Sequence, residues 1–275
     1  MSVQTLTLAD TFERLKALSS YINLQIGQPT GDGWYSHSDL ARSDSPHLAT
    51  LLERIRTKIG CDDRQFGATA FISSYSWQMT AASIGCYFTA RRVPDLSPDN
   101  LRMHFDDNVW HDQLAFLEGR FYALPDDPEA GQPHVTVVEN MDALRDEMRL
   151  QTEAHLADVI GALKLKTGMG KRGLWGLVAD RLAGNLIYAC QVLGQPERCR
   201  SELDALIHVP GSHLNGKTDV MTFEHAGHRE QFLTRGACCQ YYKAPGYGYC
   251  ATCPLQKPEE RERRMREHLE QHHHD

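Results

Sequence analysis

The sequence predicts an α+β protein that is mainly helical and carries a small antiparallel sheet. Apolar residues recur at helical spacing in several long segments, and short alternating or β-branched segments with turn signals between them occupy much of residues 84–139. These strand candidates do not alternate with helices, which argues against a doubly wound sheet. Hydrophobic residues make up 41% of the 275, so the chain can bury a sizeable core.

Helices are predicted at both ends of the chain, with strands between them. An N-terminal helix falls within residues 1–30, a second runs from the Asp44-Ser-Pro46 start signal to Gly60, and an apolar segment follows at 66–79. Later helices are predicted to start at Asn140, after the glycine-rich break 168–173, at Pro196 and at Glu259. Strands are predicted at 84–90, 101–105, 120–124 and 134–139, and an irregular stretch is predicted at 209–230.

The change from strands to helices near residue 140 predicts two lobes. Residues 1–139 form a mixed α+β lobe, and residues 140–258 form a helical lobe that contains a cysteine-rich segment at 235–254. Residues 259–275 form a charged helical tail, in which opposite charges alternate as is typical of a solvated helix.

Charge and hydropathy exclude several functional classes. The formal net charge of −7 gives no broad positive field, so no nucleic-acid partner is expected. The longest apolar runs, such as Leu174 to Ala179, are far shorter than a membrane span. The first residues lack the basic and apolar regions of a secretory signal, so we expect a cytoplasmic protein.

Half of the eight cysteines fall within one short segment near the C-terminus. Cys238, Cys239, Cys250 and Cys253 form the pattern C-C-x10-C-x2-C. The other four cysteines are scattered along the chain: Cys61, Cys86, Cys190 and Cys199. A uniform distribution would place fewer than one cysteine in that segment, so the concentration indicates a chemical role.

Several interpretations of this segment compete. Buried structural cysteines and disulfides are weak alternatives, because four cysteines lie so close together and no secretory signal precedes them. A structural zinc site is stronger, since C-x2-C is a common half-site for zinc. Adjacent cysteines, however, have difficulty turning both sulfurs toward one tetrahedral ion, whereas a two-iron centre offers ligand positions on two metals. The spacing also differs from that of plant-type ferredoxins.

The charges around the cysteines favour an anionic centre. No acidic side chain occurs between Glu230 and Glu259, whereas Arg235, Lys243 and Lys257 are positive. A [2Fe–2S] centre with four thiolates is anionic and gains a further negative charge on reduction. We therefore expect Arg235 and Lys243 to compensate the charge of a bound cluster.

The segment CCQYYKAPGYGYCATCPL resembles the C-terminal signature of the FhuF-type ferric-siderophore reductases. Leu174-Trp175 with the helix after it, and the Phe232 to Arg235 approach to the cysteines, are also similar to that family. The resemblance implies that Cys238, Cys239, Cys250 and Cys253 are the ligands of a [2Fe–2S] cluster. It further implies one-electron reduction of a ferric siderophore, of hydroxamate type, that releases Fe(II) in the cytoplasm.

The remaining partners follow from what the sequence lacks. Gly168 to Gly173 fits G-x-G-x-x-G, but a helix precedes it and no acidic residue follows at the required spacing, so nucleotide binding is not expected. The electron must therefore come from a separate donor, such as a ferredoxin-type or flavin reductase. The alternative function is a zinc- or cluster-containing sensor or electron carrier without siderophore turnover.

Five further residues are candidates for contact with the siderophore or a partner. Lys171 and Arg172 follow the glycine-rich break and could contact a redox partner, a transporter or the inner face of the membrane, although an exposed interhelical loop is the favoured explanation. Trp175 could pack on a bulky chelate, against the simpler role of a core residue. Arg91 and Arg92 follow a predicted strand and could face an anionic ligand or simply solvent.

Overall fold

A computed structural model describes residues 7–272 and confirms a mainly helical α+β fold. The helices are α1 (Leu8–Leu18), α2 (His37–Leu40), α3 (Pro46–Ile59), α4 (Arg64–Ala90), α5 (Met141–Thr167), α6 (Lys171–Val192), α7 (Arg198–Leu206) and α8 (Pro258–His272). The strands are β1 (Leu24–Ile26), β2 (Trp34–Ser36), β3 (Arg92–Pro94), β4 (Leu101–Phe105), β5 (His111–Phe116), β6 (Phe121–Ala123), β7 (Val135–Val137), β8 (Asp219–His225) and β9 (His228–Thr234).

Within residues 7–272 the strands form three small sheets. Their orders are β1-β5-β4-β2, β3-β6-β7 and β8-β9. Antiparallel pairing is found for β4 with β5 and for β3 with β6, although β3 and β5 were not predicted as strands. The antiparallel arrangement expected for 120–124 and 134–139 is wrong, because β6 and β7 pair in parallel, and β1 also pairs in parallel with β5.

Helix starts and stops follow the capping signals in the sequence. Ser45 accepts a hydrogen bond from the amide of Leu48 at the start of α3, and Gly60 ends that helix in the left-handed conformation. The side chain of Asn140 likewise accepts from the amide of Ala143 at the start of α5. These predicted boundaries are confirmed. They could be predicted because a cap is an interaction between residues that are close together in the sequence.

The predicted strand at 84–90 is wrong, because α4 continues as one helix to Ala90. The helix is buried on nearly every side, so it has no polar face from which its period could be recognised. Hydroxyl side chains of α4 form hydrogen bonds within the helix: Thr80, Ser83 and Thr89 each donate to the carbonyl four residues earlier.

The predicted irregular stretch at 209–230 contains a β-hairpin instead. Strands β8 and β9 pair in antiparallel register and are joined by Ala226 and Gly227, both with positive φ. Two left-handed residues form the tight turn that suits a hairpin, but Ala-Gly is a weaker sequence signal than Asn-Gly. Phe232 on β9 packs against Met265 and Leu269 of α8. The charged helical tail therefore has one apolar face, which packs on the hairpin.

Helices α4 and α6 pack along each other at the centre of the molecule. The main hydrophobic core surrounds them and includes residues from Leu8 to Ala244. The division into two lobes at residue 139 stays a prediction. In the part of the chain that the structure describes, no helix is both long and apolar enough to cross a membrane.

Candidate metal centre and the adjoining cavity

The cysteine segment leaves β9 and is fixed at once to the middle of α6. One carboxylate oxygen of the buried Asp180 accepts hydrogen bonds from the hydroxyl of Thr218 at 2.7 Å and from the amide of Gly236 at 2.8 Å. The other oxygen accepts from the amide of Ala237 at 3.4 Å. Burial raises the pKa of Asp180, and these donors oppose that change. Asp180 therefore orders the backbone immediately before Cys238.

Two glycines allow this close approach. A Cβ at Gly236 would lie 2.6 Å from the backbone nitrogen of Thr218, and a Cβ at Gly176 of α6 would lie 2.8 Å from the Cβ of Ala237. Both distances are shorter than non-bonded carbon and nitrogen atoms tolerate. A second helix also contributes, because the hydroxyl of Thr69 in α4 donates to the carbonyl of Cys239 at 2.8 Å. The segment is thus held between α4 and α6.

The structure brings the four clustered cysteines together as two interacting pairs. The thiol of Cys238 interacts with that of Cys253, and the thiol of Cys239 with that of Cys250. The pairs are close enough to influence each other electrostatically. Cys253 is buried and the other three are half-buried.

Backbone amides turn toward these sulfurs. Gln240 adopts the left-handed conformation (φ 62°) directly after the adjacent cysteines. Its amide donates to Sγ of Cys238 at 3.4 Å, and the amide of Tyr241 donates to Sγ of Cys239. The pKa of Cys239 is lowered because the Cys250 thiol donates to it, and the amides of Tyr241 and Cys239 and the charge of Arg235 lower it further. Consecutive amides of this kind stabilise negative charge on sulfur.

The two predicted charge-compensating residues have different surroundings. Arg235 is half-buried and electrostatically stabilises the thiolate forms of Cys239 and Cys250. Lys243 instead forms an ion pair with Asp63, the N-cap of α4, at 2.6 Å and also donates to the side chain of Gln240. Its charge is therefore largely matched by a carboxylate that the local sequence did not reveal.

A cavity of about 590 Å³ opens beside the cysteine segment. Its wall includes Tyr21, Trp77, Trp110, His111, Arg181 and Tyr241. A second cavity of about 260 Å³ shares Tyr21, Trp77 and Arg181 with it and adds Asp180 and Arg235. Tyr241 follows Cys239 by two residues, and Asp180 and Arg235 hold or flank the cysteines, so both cavities are lined by neighbours of the cysteine segment.

Arg181 is the functional candidate that the sequence analysis missed. Its guanidinium lines both cavities, and none of the residues from 7 to 272 makes a hydrogen bond or ion pair with it. Burial and the nearby charge of Arg235 lower the pKa of Arg181. The sequence signal for this residue was the charged pair Asp180-Arg181 among the apolar residues of α6. Charged residues in apolar surroundings are usually paired or belong to a functional site.

The other predicted contact residues lie elsewhere or have other partners. Lys171 and Arg172 are exposed at the start of α6, just after Met169, whose sulfur contacts the side chain of Gln240. Trp175 is buried and stacks on His213, with ring centroids 4.9 Å apart.

Arg91 and Arg92 follow α4 and not a strand. Arg91 is exposed and pairs with Asp126 at 2.8 Å. Arg92 is only 1% exposed and donates two hydrogen bonds of 2.7 Å to Asp127, with its guanidinium over the ring of Phe121. The expected ligand contact at Arg92 is therefore corrected to a buried structural ion pair.

The donor set fits a two-iron centre better than a single ion. Residues 7–272 contain no group of three or more His, Cys, Asp or Glu side chains gathered for one metal ion. A [2Fe–2S] cluster needs two thiolates on each of two irons, and two neighbouring thiol pairs offer that arrangement. The amides at Cys238 and Cys239 and the charge of Arg235 suit an anionic group.

Comparisons with known proteins place the chain in a family. A family model described as "Ferric iron reductase FhuF-like transporter" matches residues 69–206, half of the chain, and one described as "FhuF 2Fe-2S C-terminal domain" matches residues 235–255. The chain therefore belongs to the FhuF-like ferric iron reductase family, as its cysteine pattern indicated. The second match spans all four clustered cysteines.

Other comparisons add little to this assignment. No curated protein matches the chain. One solved structure, the ATP-bound aerobactin synthetase IucA from Klebsiella pneumoniae, is 15% identical with a TM-score of 0.48 over 69% of this chain. The matched region spans 43% of the length of that synthetase, and the likeness bears on neither the fold nor the function described here.

Proposed function

We propose that this protein reduces siderophore-bound Fe(III) by one electron, so that iron is released as Fe(II). A [2Fe–2S] cluster, when bound by Cys238, Cys239, Cys250 and Cys253, supplies single-electron chemistry. The observation that carries the proposal is the placement of two thiol pairs beside a cavity with an arginine in its wall. The family membership and the description of the second family model support it.

The chemistry of iron chelation explains why such a reaction releases the metal. Hard oxygen ligands bind Fe(III) far more tightly than Fe(II), so reduction weakens the chelate. Each tenfold preference lowers the Fe(III)/Fe(II) potential by about 59 mV, so a preference of about 10⁸ requires a donor roughly 470 mV lower than for free iron. Arg235 and the amides near Cys238 and Cys239 stabilise negative charge at the thiols, which tunes that donor strength.

The charge of the cavities favours an uncharged chelate of hydroxamate type. Arg181 and Arg235 on the walls are matched by Asp112 and Asp180. His111 adds no charge, because burial lowers its pKa to about 4. With an anionic cluster nearby, a ferric tricatecholate, which carries several negative charges, would be repelled, whereas a ferric trihydroxamate is neutral. The charge balance supports the hydroxamate class.

The electron is proposed to come from a separate protein in the cytoplasm. Lys171 and Arg172 are exposed, and the preceding Met169 contacts Gln240 of the cysteine segment. An acidic ferredoxin-type or flavin reductase docking there would come close to the thiols; contact with a membrane or transporter is the competing use of these residues. The double variant Lys171→Glu/Arg172→Glu should slow reduction by such a donor, whereas Arg14→Glu on the exposed face of α1 should not.

A single-turnover experiment tests the reaction itself. Chemically reduced protein is mixed without oxygen with a ferric trihydroxamate and a chelator that traps Fe(II). Each Fe(III) accepts one electron, so one trapped Fe(II) per cluster is expected, with the protein re-oxidised in step. NADH or NADPH alone should not sustain turnover, whereas adding the separate donor should.

The outcome separates this function from the alternative. Equally fast oxidation by any soluble oxidant, together with no trapped Fe(II) from the chelate, would favour an electron carrier or sensor. Protein that carries zinc and transfers no electron would favour a structural metal protein. A Cys239→Ser variant serves as the matched control, because it should retain the cavity but lose the electron-transfer centre.

A further inference from the structure

Arg181 is a half-buried arginine whose interactions with the described residues are electrostatic only. It projects from the centre of α6, lines both cavities, and makes no hydrogen bond or ion pair with any residue between 7 and 272. A guanidinium has five N–H donors, and Arg181 is half-buried in the cavity walls, so a ligand that enters can offer oxygen acceptors that the described residues do not supply. The neighbouring Asp180 attracts Arg181 electrostatically, but the hydrogen bonds that its oxygens accept come from Thr218, Gly236 and Ala237 and not from Arg181.

The rest of the cavity is suited to a bulky organic ligand with oxygen donors. Aromatic side chains of Tyr21, Trp77, Trp110 and Tyr241 contribute to its wall. The volume of about 590 Å³ lies within the usual range for small-molecule sites, about 300–1,000 Å³. Aromatic surfaces pack on hydrocarbon linkers, while the guanidinium in the wall donates to oxygen acceptors.

The geometry points to this cavity as the binding site of the ferric chelate, with Arg181 donating hydrogen bonds to its iron-binding oxygens and Trp77 packing on its linker. The inference rests on the proposed function, because it concerns the substrate of the same reaction. It adds the location of the substrate, which neither the cysteine motif nor the family matches specify. Arg181 also interacts electrostatically with Cys239 while it lines the cavity, so its positive charge acts on both the thiol and the ligand.

Binding can be measured separately from reduction with a redox-inert probe. The Ga(III) complex of a linear trihydroxamate has the same charge and ligands as the ferric complex but accepts no electron. We expect calorimetric titration of the anaerobically purified holoprotein to give micromolar binding. Arg181→Met should weaken binding about tenfold or more, which corresponds to loss of a charge-assisted hydrogen bond. Arg181→Lys should restore part of the affinity.

Matched variants control for general damage. Trp77→Leu should weaken binding severalfold, whereas Trp34→Leu, on β2 outside the cavity, should leave it within twofold of the wild type. Arg149→Met removes a similarly buried arginine, from α5, whose partner Asp146 is exposed, and it should also leave binding unchanged. Iron content and visible absorption establish that every variant keeps its cluster.

The results distinguish failure of this site from failure of the proposed function. If Arg181→Met and Trp77→Leu bind the Ga(III) chelate like the wild type, the site is overturned, even where the ferric chelate is still reduced. If Arg181→Met changes only the cluster potential and not the affinity, the arginine serves the cluster alone and the inference is also overturned. A wild-type protein that binds the Ga(III) chelate but reduces no ferric chelate supports the site and contradicts the function.

Discussion

Asp180 connects α6 to the backbone that leads into the cysteines, and replacing it by alanine should loosen that connection. Its two short hydrogen bonds, from Thr218 and Gly236, join groups that are buried or half-buried, and the bond from Ala237 is long. A buried donor left without its partner costs about 1–3 kcal/mol, so two such losses predict about 2–6 kcal/mol. Removal of a desolvated carboxylate offsets part of this, which leaves a destabilisation of about 2–4 kcal/mol.

Thermal unfolding followed by circular dichroism provides the assay. In a chain of this size 1 kcal/mol shifts Tm by about 2–4 °C, so Asp180→Ala should lower Tm by about 4–16 °C and reduce the iron content. Asp180→Asn keeps one oxygen that can accept from Thr218 and Gly236, so it should lose less than half as much. The control Asp142→Ala removes a carboxylate that is 88% exposed and should have little effect. An Asp180→Ala protein with wild-type Tm and full iron content would refute this reasoning.

Three further predictions follow from the same structure. Gly176→Ala would place a Cβ 2.8 Å from that of Ala237 and should destabilise the protein by about 1–3 kcal/mol with loss of iron. Gly161→Ala, with open space around its Cβ, should instead stabilise α5 by about 0.5–1 kcal/mol. Equal Tm values for the two variants would contradict the close packing at Gly176. Serine at any of the four clustered cysteines should abolish the visible absorption of the cluster. The absorption should persist, with a loss of about 1–3 kcal/mol in folding stability, when serine replaces one of the buried, scattered cysteines: Cys61, Cys86, Cys190 or Cys199. Burial lowers the pKa of His155 to about 3, below the value of about 6.5 expected in the unfolded chain. As the pH falls the unfolded state gains a proton first, so the stability that is complete above pH 6.5 should fall by about 1.4 kcal/mol per pH unit between about pH 6.5 and 3. A Tm that stays constant from pH 6.5 to 4.5 would exclude this contribution.

Local chemistry in the sequence predicted the parts of the fold that depend on neighbours along the chain. The start of α3 at Ser45, its end at Gly60 and the start of α5 at Asn140 are capping interactions within four residues, and each is where the sequence placed it. The cysteine pattern is local in the same sense. Its spacing identified the family without any knowledge of the surrounding helices.

The errors arose where packing between distant segments decides the structure. Residues 84–90 look like a strand because β-branched and aromatic residues are frequent there, yet α4 is enclosed by other elements and continues as a helix. The three-residue strands β1 and β2 depend on partners about 70–90 positions away, so no local signal announces them.

The candidate site shows the same division. The four thiols and Arg235 could be found from the segment itself, whereas Asp63 and Asp180, which balance Lys243 and hold the backbone, come from α4 and α6. Arg181 is likewise brought to the thiols only by the packing of α6. A charged pair within an apolar helix was the one clue that the sequence offered.

Chemical analysis of anaerobically purified protein tests the central claim most directly. Two thiol pairs on two irons predict a reddish-brown protein with about two irons and two inorganic sulfides per chain, which on one-electron reduction gives a paramagnetic signal. The single-electron state should disappear when a ferric trihydroxamate is added, with one Fe(II) trapped per cluster. A colourless protein that contains one zinc per chain, and no sulfide, would contradict the account.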